Sequence, residues 1–285
     1  MADKARALVV FAADLHVGSP FAVCPPHWTL YDGNPFVPNE LQELIRGHWL
    51  ACWQRVATLR VGARLIVIVV GDVTEGLHHE TTQVVTSRID TQEDMAVAVL
   101  DEGLHLARWS LRRRDVLRFA TGTRAHDGAG AASLERVARR VLDYAGDGRV
   151  SRDMLDFKVN GVRFGVAHKP GSGPGSRAQT QGNAFQGWLK SLYYASLEAK
   201  RQPPHYLVTA HHHQYLRRQV YSTTGEVVMT GVILPGWKVK DEYIYQVAPF
   251  ALGCVGMYAV EVAGDGATTE HDWRLPVGQD ACEEL

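Results

Sequence analysis

The sequence predicts an α/β layered fold in which two sheets pack face to face and helices lie outside them. Three observations carry this. Short apolar runs rich in β-branched residues alternate with amphipathic stretches through the first two thirds of the chain, the pattern of an α/β layered fold. After His213 the order changes to strands and turns, which supplies a further sheet. A chain of 285 residues at 46% hydrophobic and 9% aromatic can bury a large core, read here as one domain over residues 1–285.

Taken in order, the strands are expected at 7–13 (ALVVFAA), 65–70 (LIVIVV), 116–121 (VLRFAT), 162–167 (VRFGVA) and 206–210 (YLVTA). Helix-like spacing runs from Asn39, a suitable N-cap, to about Leu59, and again over 91–109 and 133–144. Beyond His213, strands are expected at 216–221, 227–233 and 255–262, with a turn at Thr224-Gly225 between the first two. The stretch 169–176 (KPGSGPGS) is too rich in Gly, Pro and Ser for regular structure and reads as a loop at the rim near His168, able to act as a lid. It lacks the Lys and Ser/Thr of a phosphate-binding P-loop. Residues 280–285 are acidic and read as a solvated tail. No internal repeat is found.

Bulk properties exclude several classes of function. With 30 Lys+Arg against 31 Asp+Glu, the net charge of -1 gives no global field to draw the chain onto nucleic acid or an anionic membrane, so any nucleic-acid contact must be local. Arg112-Arg113-Arg114 and Arg217-Arg218 are short basic runs, read as solvated faces sooner than as polyanion contacts. The four cysteines, Cys24, Cys52, Cys254 and Cys282, form no CxxC pair, which argues against a thiolate zinc knuckle and for free thiols in a reducing cytoplasm. The first apolar run breaks at Asp14, too early for a secretory segment or a membrane span. The expectation is a cytoplasmic protein without membrane contact. The tryptophans read as core anchors rather than base-stacking platforms.

The informative residues stand just beyond the C-terminal ends of the five leading strands. In chain order these are Asp14-Leu15-His16, Gly71-Asp72, the segment from Gly122 to Asp127, His168, and His211-His212-His213. Ligands of α/β sheets bind beyond the carboxyl ends of the strands, so these groups should converge. Residues two apart in extended chain face the same side, so Asp14 with His16, and His211 with His213, present two ligands each, while His212 points away. A mixed carboxylate and imidazole set suits Mn, Fe or Zn better than Mg or Ca. A shared carboxylate, for which Asp72 is the candidate, holds two ions about 3.5–4 Å apart in sites that hydrolyse phosphoesters. Each motif alone is weak; the ordered set is not.

These residues resemble the calcineurin-like metallophosphoesterases, whose pattern runs D-x-H, GD-x-x-D/E, GNH-D/E, a lone His, and GH-x-H. The matches are Asp14-Leu15-His16, Gly71 to Glu75, Gly122 to Asp127, His168 and Ala210-His211-His212-His213, in family order. The resemblance implies a two-sheet β-sandwich flanked by helices in four layers. It also implies two divalent metal ions, Mn first, with Fe, Zn, Mg or Ni as alternatives. Asp14, His16, Asp72 and His213 would hold one metal, and Asp72, His168 and His211 the other. Segments 14–19, 27–38 and 71–82 further resemble a phage-encoded branch. Two departures stand out: no Asn comes after Gly122, and two additional residues separate Thr123 from His126. His126 is then either the group that protonates the leaving oxygen, oriented by Glu75, or a metal ligand in place of the missing Asn. Arg124 is a candidate contact to a phosphate oxygen. His78 and His79 read as a solvated loop pair sooner than as substrate contacts.

The expected activity is hydrolysis of a phosphomonoester or phosphodiester by a metal-bound hydroxide. A nuclease acting on DNA or RNA is the alternative within the same class, and a non-catalytic metal-binding module is the alternative outside it. Oligomeric state leaves no readable trace.

Overall fold

The computed structural model describes residues 5–78, 81–143, 150–175, 178–241 and 253–277. His79, Tyr144, Ser176, Cys282 and the acidic residues 280–285 lie outside the described residues. The strands are β1 Ala7–Ala13, β2 Trp28–Thr29, β3 Pro35–Phe36, β4 Arg64–Val70, β5 Val116–Ala120, β6 Ser151–Arg152, β7 Leu155–Val159, β8 Val162–Val166, β9 Tyr206–Thr209, β10 Leu216–Tyr221, β11 Val227–Ile233, β12 Gly253–Val262 and β13 Thr268–Val277. The helices are α1 Glu40–Leu59, α2 Ile89–Leu106, α3 Arg124–Asp127, α4 Ala132–Arg140 and α5 Asn183–Glu198.

Two sheets form the centre. One has the order β13-β12-β1-β4-β5-β6 and the other β10-β11-β9-β8-β7. In the first, β1, β4, β5 and β6 run parallel; in the second, β11, β9 and β8 do. The period-2 alternation of β1 sorts its side chains between two cores. Val9, Phe11 and Ala13 join Ile66, Ile68, Phe164, Val166, Val208 and Tyr258 between the sheets. Leu8, Val10 and Ala12 pack instead beneath α1, α2 and α4 with Trp49, Trp53, Met95 and Leu134. Across the second sheet, Phe185 and Leu189 of α5 cover Leu216, Val220 and Ile233. Helix, sheet, sheet and helix thus make four layers.

Helix α1 begins where the sequence places it. Asn39 Oδ1 accepts from the Gln42 backbone N–H at 2.8 Å, and Gln42 Oε1 accepts from the Asn39 N–H at 3.2 Å, a reciprocal cap that satisfies two orphan donors. Three expectations need correction. Residues 253–277 do not extend the second sheet: β12 pairs antiparallel with β1 in the first. Both faces of β12 are apolar, Val255 and Met257 to one core and Tyr258 and Val260 to the other, which suits a strand inside the larger sheet. The third helix ends at Arg140, continued only by a single 3-10 turn, Val141–Asp143. Helix α5 was not expected, because only Phe185 and Leu189 are buried on it and no side chain caps its start. Strands β7 and β13 were also unforeseen. No helix among the described residues is long and apolar enough to cross a membrane.

Phe164 is fully buried between the sheets, stacked on Phe157 and Tyr206 with ring centroids 5.2 Å apart in each case. Phe164→Ala should therefore cost about 3–5 kcal/mol, read as a lowered denaturant midpoint with little change in slope; a loss under about 1 kcal/mol would contradict tight packing there.

Candidate metal centre

The carboxyl ends of β1, β4, β8 and β9 lie at one end of the sandwich, where the backbone pairing continues past the strands. The Asp14 N–H donates to Gly71 O, His16 N–H to Asp72 O, and Ala210 N–H to His168 O. Five of the six candidate ligands adopt left-handed backbone: Asp14 (φ 49°), His16 (47°), Asp72 (47°), His211 (78°) and His213 (50°). Such conformations are uncommon outside glycine and cost of order 1–3 kcal/mol each, so their clustering marks a site where side-chain placement overrides local preference. Gly71 and Gly122 make this approach feasible. A Cβ on Gly122 would lie 2.2 Å from Asp72 N and Oδ1, and one on Gly71 would lie 2.5 Å from His168 Nδ1.

Three imidazoles are fixed by their outer nitrogens. Nδ1 of His168 donates to Val70 O (3.0 Å), Nδ1 of His213 to Lys238 O (3.1 Å), and Nδ1 of His16 to Glu75 Oε2 (3.0 Å). Carbonyl and carboxylate acceptors take the Nδ1 proton and turn each Nε2 inward; in His16 and His213, whose charged forms burial disfavours, that Nε2 is a lone pair. His16 Nε2 then faces His213 Nε2 at 3.1 Å, and His168 Nε2 faces Asp72 Oδ2 at 3.1 Å and His211 Nδ1 at 3.2 Å. Asp14 Oδ1 is buried and has no hydrogen-bond partner. Around it stand Nε2 of His213 at 3.6 Å, of His168 at 3.8 Å and of His16 at 3.9 Å. Lone pairs pointed at one another repel, and a buried bare carboxylate oxygen is costly. A cation with bonds of about 2.0–2.2 Å would hold neighbouring donors about 3.0–3.5 Å apart and remove both penalties.

The residues fit a metal on these grounds, in two sets: Asp14, His16 and His213 form one, and Asp72, His168 and His211 the other. His126 stands within ligand range of both His16 and Asp72. Asp72 Oδ1 accepts from the N–H (2.6 Å) and hydroxyl (3.0 Å) of Thr123, the residue at the position of the missing Asn, and Oδ2 is the oxygen turned to His168 at 3.1 Å. Asp127 accepts from the N–H groups of Gly122 (2.5 Å) and Val73 (3.2 Å), tying the two loops together.

The remaining predicted residues surround these two sets. The Glu75 carboxylate orients His16 rather than His126, and it also meets His78 Nε2 at 3.2 Å and the buried Lys238 ammonium at 2.8 Å. His126 is held by the Glu75 backbone instead, its Nδ1 donating to Glu75 O at 2.5 Å while its ring stands edge-on to His16. The two additional residues, Arg124 and Ala125, open the four-residue helix α3, whose third residue is His126. Arg124 is exposed at the first position of α3. His78 is half-buried against His126 and not simply solvated. His212 turns away from the ligand sets, and the Gly-rich loop passes over it, Gly173 lying beside its ring. Arg217 is engaged by Glu270 through two hydrogen bonds, 2.6 and 2.8 Å. Lys238 was missed; it sits 25 residues beyond His213 with no motif to flag it, and it is salt-bridged to both Glu75 and Asp241 (2.6 Å).

The electrostatics arise from burial at close quarters. Burial pushes Asp14 up to about 7, with the Asp72 charge adding to it. Burial opposes the charge of His168, but Asp14 and Asp72 outweigh it and raise that imidazole to about 9. Burial lowers His211 and His213 to about 4, aided by His168 and Lys238 respectively, so both offer lone pairs at neutral pH. Asp72 stays well below the usual carboxylate range because His168 overcomes its burial.

No protein-family model matches the sequence, and no curated protein does. Among solved structures, the NAD nucleotidase of Haemophilus influenzae is similar at 13% identity and a TM-score of 0.40, over 96% of this chain and 50% of that one. This chain therefore spans half the length of that enzyme. An archaeal phosphodiesterase is similar at 7% identity and a TM-score of 0.41, over 95% and 99% of the two chains. Vps29 of Entamoeba histolytica, solved with zinc, is similar at 11% identity and a TM-score of 0.34, over 94% and 98%. Likeness at these values assigns no activity to this chain.

A cation must displace the protons carried by Asp14 below about pH 7 and by His168 below about pH 9. Affinity for Mn should accordingly rise as pH increases through this window, with proton release in calorimetry run in buffers of different ionisation enthalpy; affinity that is flat or falls from about pH 6.5 to 9 would contradict the assignment.

Proposed function

We propose that this chain hydrolyses phosphoester bonds with two divalent cations, one held by Asp14, His16 and His213 and the other by His168 and His211, with Asp72 shared. The observation that carries the reading is the buried, unpartnered Asp14 Oδ1 with three imidazole nitrogens turned towards it. Bound divalent cations supply Lewis acidity at phosphorus and lower the pKa of a coordinated water. The mixed carboxylate and imidazole set favours Mn, Fe or Zn over Mg or Ca, and Mn is the metal we put first.

The chain's own residues do the rest. Glu75 and Lys238 hold His16 in one tautomer and orientation, a support that typically matters about 10–100-fold in outer-layer mutants. Thr123 fixes the rotation of Asp72. His126, held through Nδ1 and within ligand range of His16 and Asp72, is the group we assign to carry a proton to the leaving oxygen. Burial lowers its pKa, against the pull of Asp72. Arg124, exposed beside Thr123, is the residue we assign to a phosphate oxygen.

The test is turnover of bis(p-nitrophenyl) phosphate and p-nitrophenyl phosphate with Mn restored after chelation. Asp72→Asn should lower kcat/KM by more than about 10²-fold, beyond the range of outer-layer changes. His126→Ala should cost about 10²–10⁴-fold on an alkyl ester and much less on the nitrophenyl esters, whose leaving group needs little protonation. Wild-type protein that binds Mn yet turns over neither type of ester would favour a metal-binding module, in which metal raises the Tm without catalysis.

A further inference from the structure

Away from the metal ligands, a cleft of about 780 Å³ opens along the flank of the sandwich, where the β5 and β6 edge of one sheet stands over β7 of the other. Its charge is one-sided. Arg64, Arg113, Arg114, Arg118, Arg152 and Lys158 line it, against the single carboxylate of Asp156, which Arg163 already takes at 2.8 Å. The described residues offer no carboxylate to Arg113, Arg114 or Arg152. The chain as a whole carries a net charge of -1, so this concentration is local.

The arrangement has direction. Arg64 opens β4 at one end, Arg118 lies level with Ile68 in the middle, and Arg152 pairs with Ala120 at the other end. At about 3.3 Å per residue, the six-residue span from Arg64 to the level of Val70 is about 20 Å. The Arg152 end adjoins the metal centre: the Thr121 N–H donates to Arg152 O, and Thr123, two residues on, holds Asp72. The floor is apolar. Phe157 is half-buried, with one face stacked on Phe164 at an interplanar angle of 12°, and Met154 is 63% exposed beside it. Guanidinium groups spaced along a groove with an aromatic face at its floor match a phosphate backbone with unstacked bases. The six cations are exposed along the cleft while Phe157 lies half-buried at its floor, so a flexible strand can set its phosphates on the former and an unstacked base on the latter, which a duplex or a bilayer cannot supply.

We infer that this flank cleft binds single-stranded nucleic acid, its phosphates on Arg64, Arg114, Arg118 and Arg152 and a base on Phe157, leading the strand towards the metal centre. The binding does not depend on hydrolysis.

The test is fluorescence anisotropy of a fluorescein-labelled oligothymidylate 15-mer with the full-length chain, in chelator so that no metal contributes or cuts. Binding should be saturable and weaken as salt rises. The triple variant Arg114→Ser, Arg118→Ser, Arg152→Ser should lose at least about tenfold in affinity, and the log–log salt slope should shrink by about 2, at about 0.7 per single-strand phosphate contact. Phe157→Leu should lose about fivefold, as for removal of a stacking face. Arg139→Ser, on α4, should bind like wild type. Arg152→Ser alone serves if the triple variant has a lowered Tm, with a loss of about threefold expected. Absence of binding, or variants that bind like wild type, would overturn the inference and leave the arginines as guards against pairing of the sheet edges. Tighter binding to a duplex, or displacement of the oligonucleotide by phosphatidylserine vesicles, would equally overturn it.

Discussion

A carboxylate oxygen of Asp14 lies fully buried without a hydrogen-bond partner, ringed by imidazole nitrogens, and the rest of this end of the molecule is arranged around that electrostatic deficit. A buried anion is tolerated when it is paired or coordinates a metal. The nitrogens facing Asp14 are not free to rotate and donate to it, because Val70 O, Lys238 O and Glu75 each occupy an Nδ1 proton. The chain therefore holds His16 and His213 with a lone pair inward and the proton outward, the state a divalent cation requires, while at Asp14 and His168 the cation must displace a proton.

The fold makes this deficit sustainable. Two sheets, each with a parallel core, end on the same side, so short loops bring carboxylates from one and imidazoles from both into a common volume. The left-handed backbone at five ligand positions is held by neighbours that leave no slack: Gly71 against Gly122, Trp237 N–H on Asp14 O, and Asp127 bridging two loops. Beneath them Trp49, Trp53 and Trp237 form a rigid aromatic floor.

Much of this is legible in the sequence, for physical reasons. The strands after which the ligands stand are runs of β-branched and apolar residues buried on both faces, and such runs announce themselves. The Asn39 cap fixes the start of α1. Ligand pairs two residues apart at strand ends are equally visible. What pairs with what is not: β12 has two apolar faces, and nothing local says which sheet it completes. Helix α5 hid behind a partly exposed surface. Lys238 and the turn of the Glu75 carboxylate towards His16 depend on contacts across 163 and 59 residues of chain, which no periodicity records. Thr123 could be seen to differ from the resembling family's Asn, but its hold on Asp72 became visible only with the loops in place.

The most direct measurement is anomalous diffraction at the Mn edge from crystals grown with MnCl₂. Two peaks are predicted, one among Asp14, His16 and His213 and one among His168 and His211, with Asp72 touching both; in Asp14→Asn the first peak should weaken or vanish. A single peak elsewhere, or no peak at this end of the sandwich with the imidazoles unmoved, would contradict the claim that the buried Asp14 oxygen exists to hold a cation.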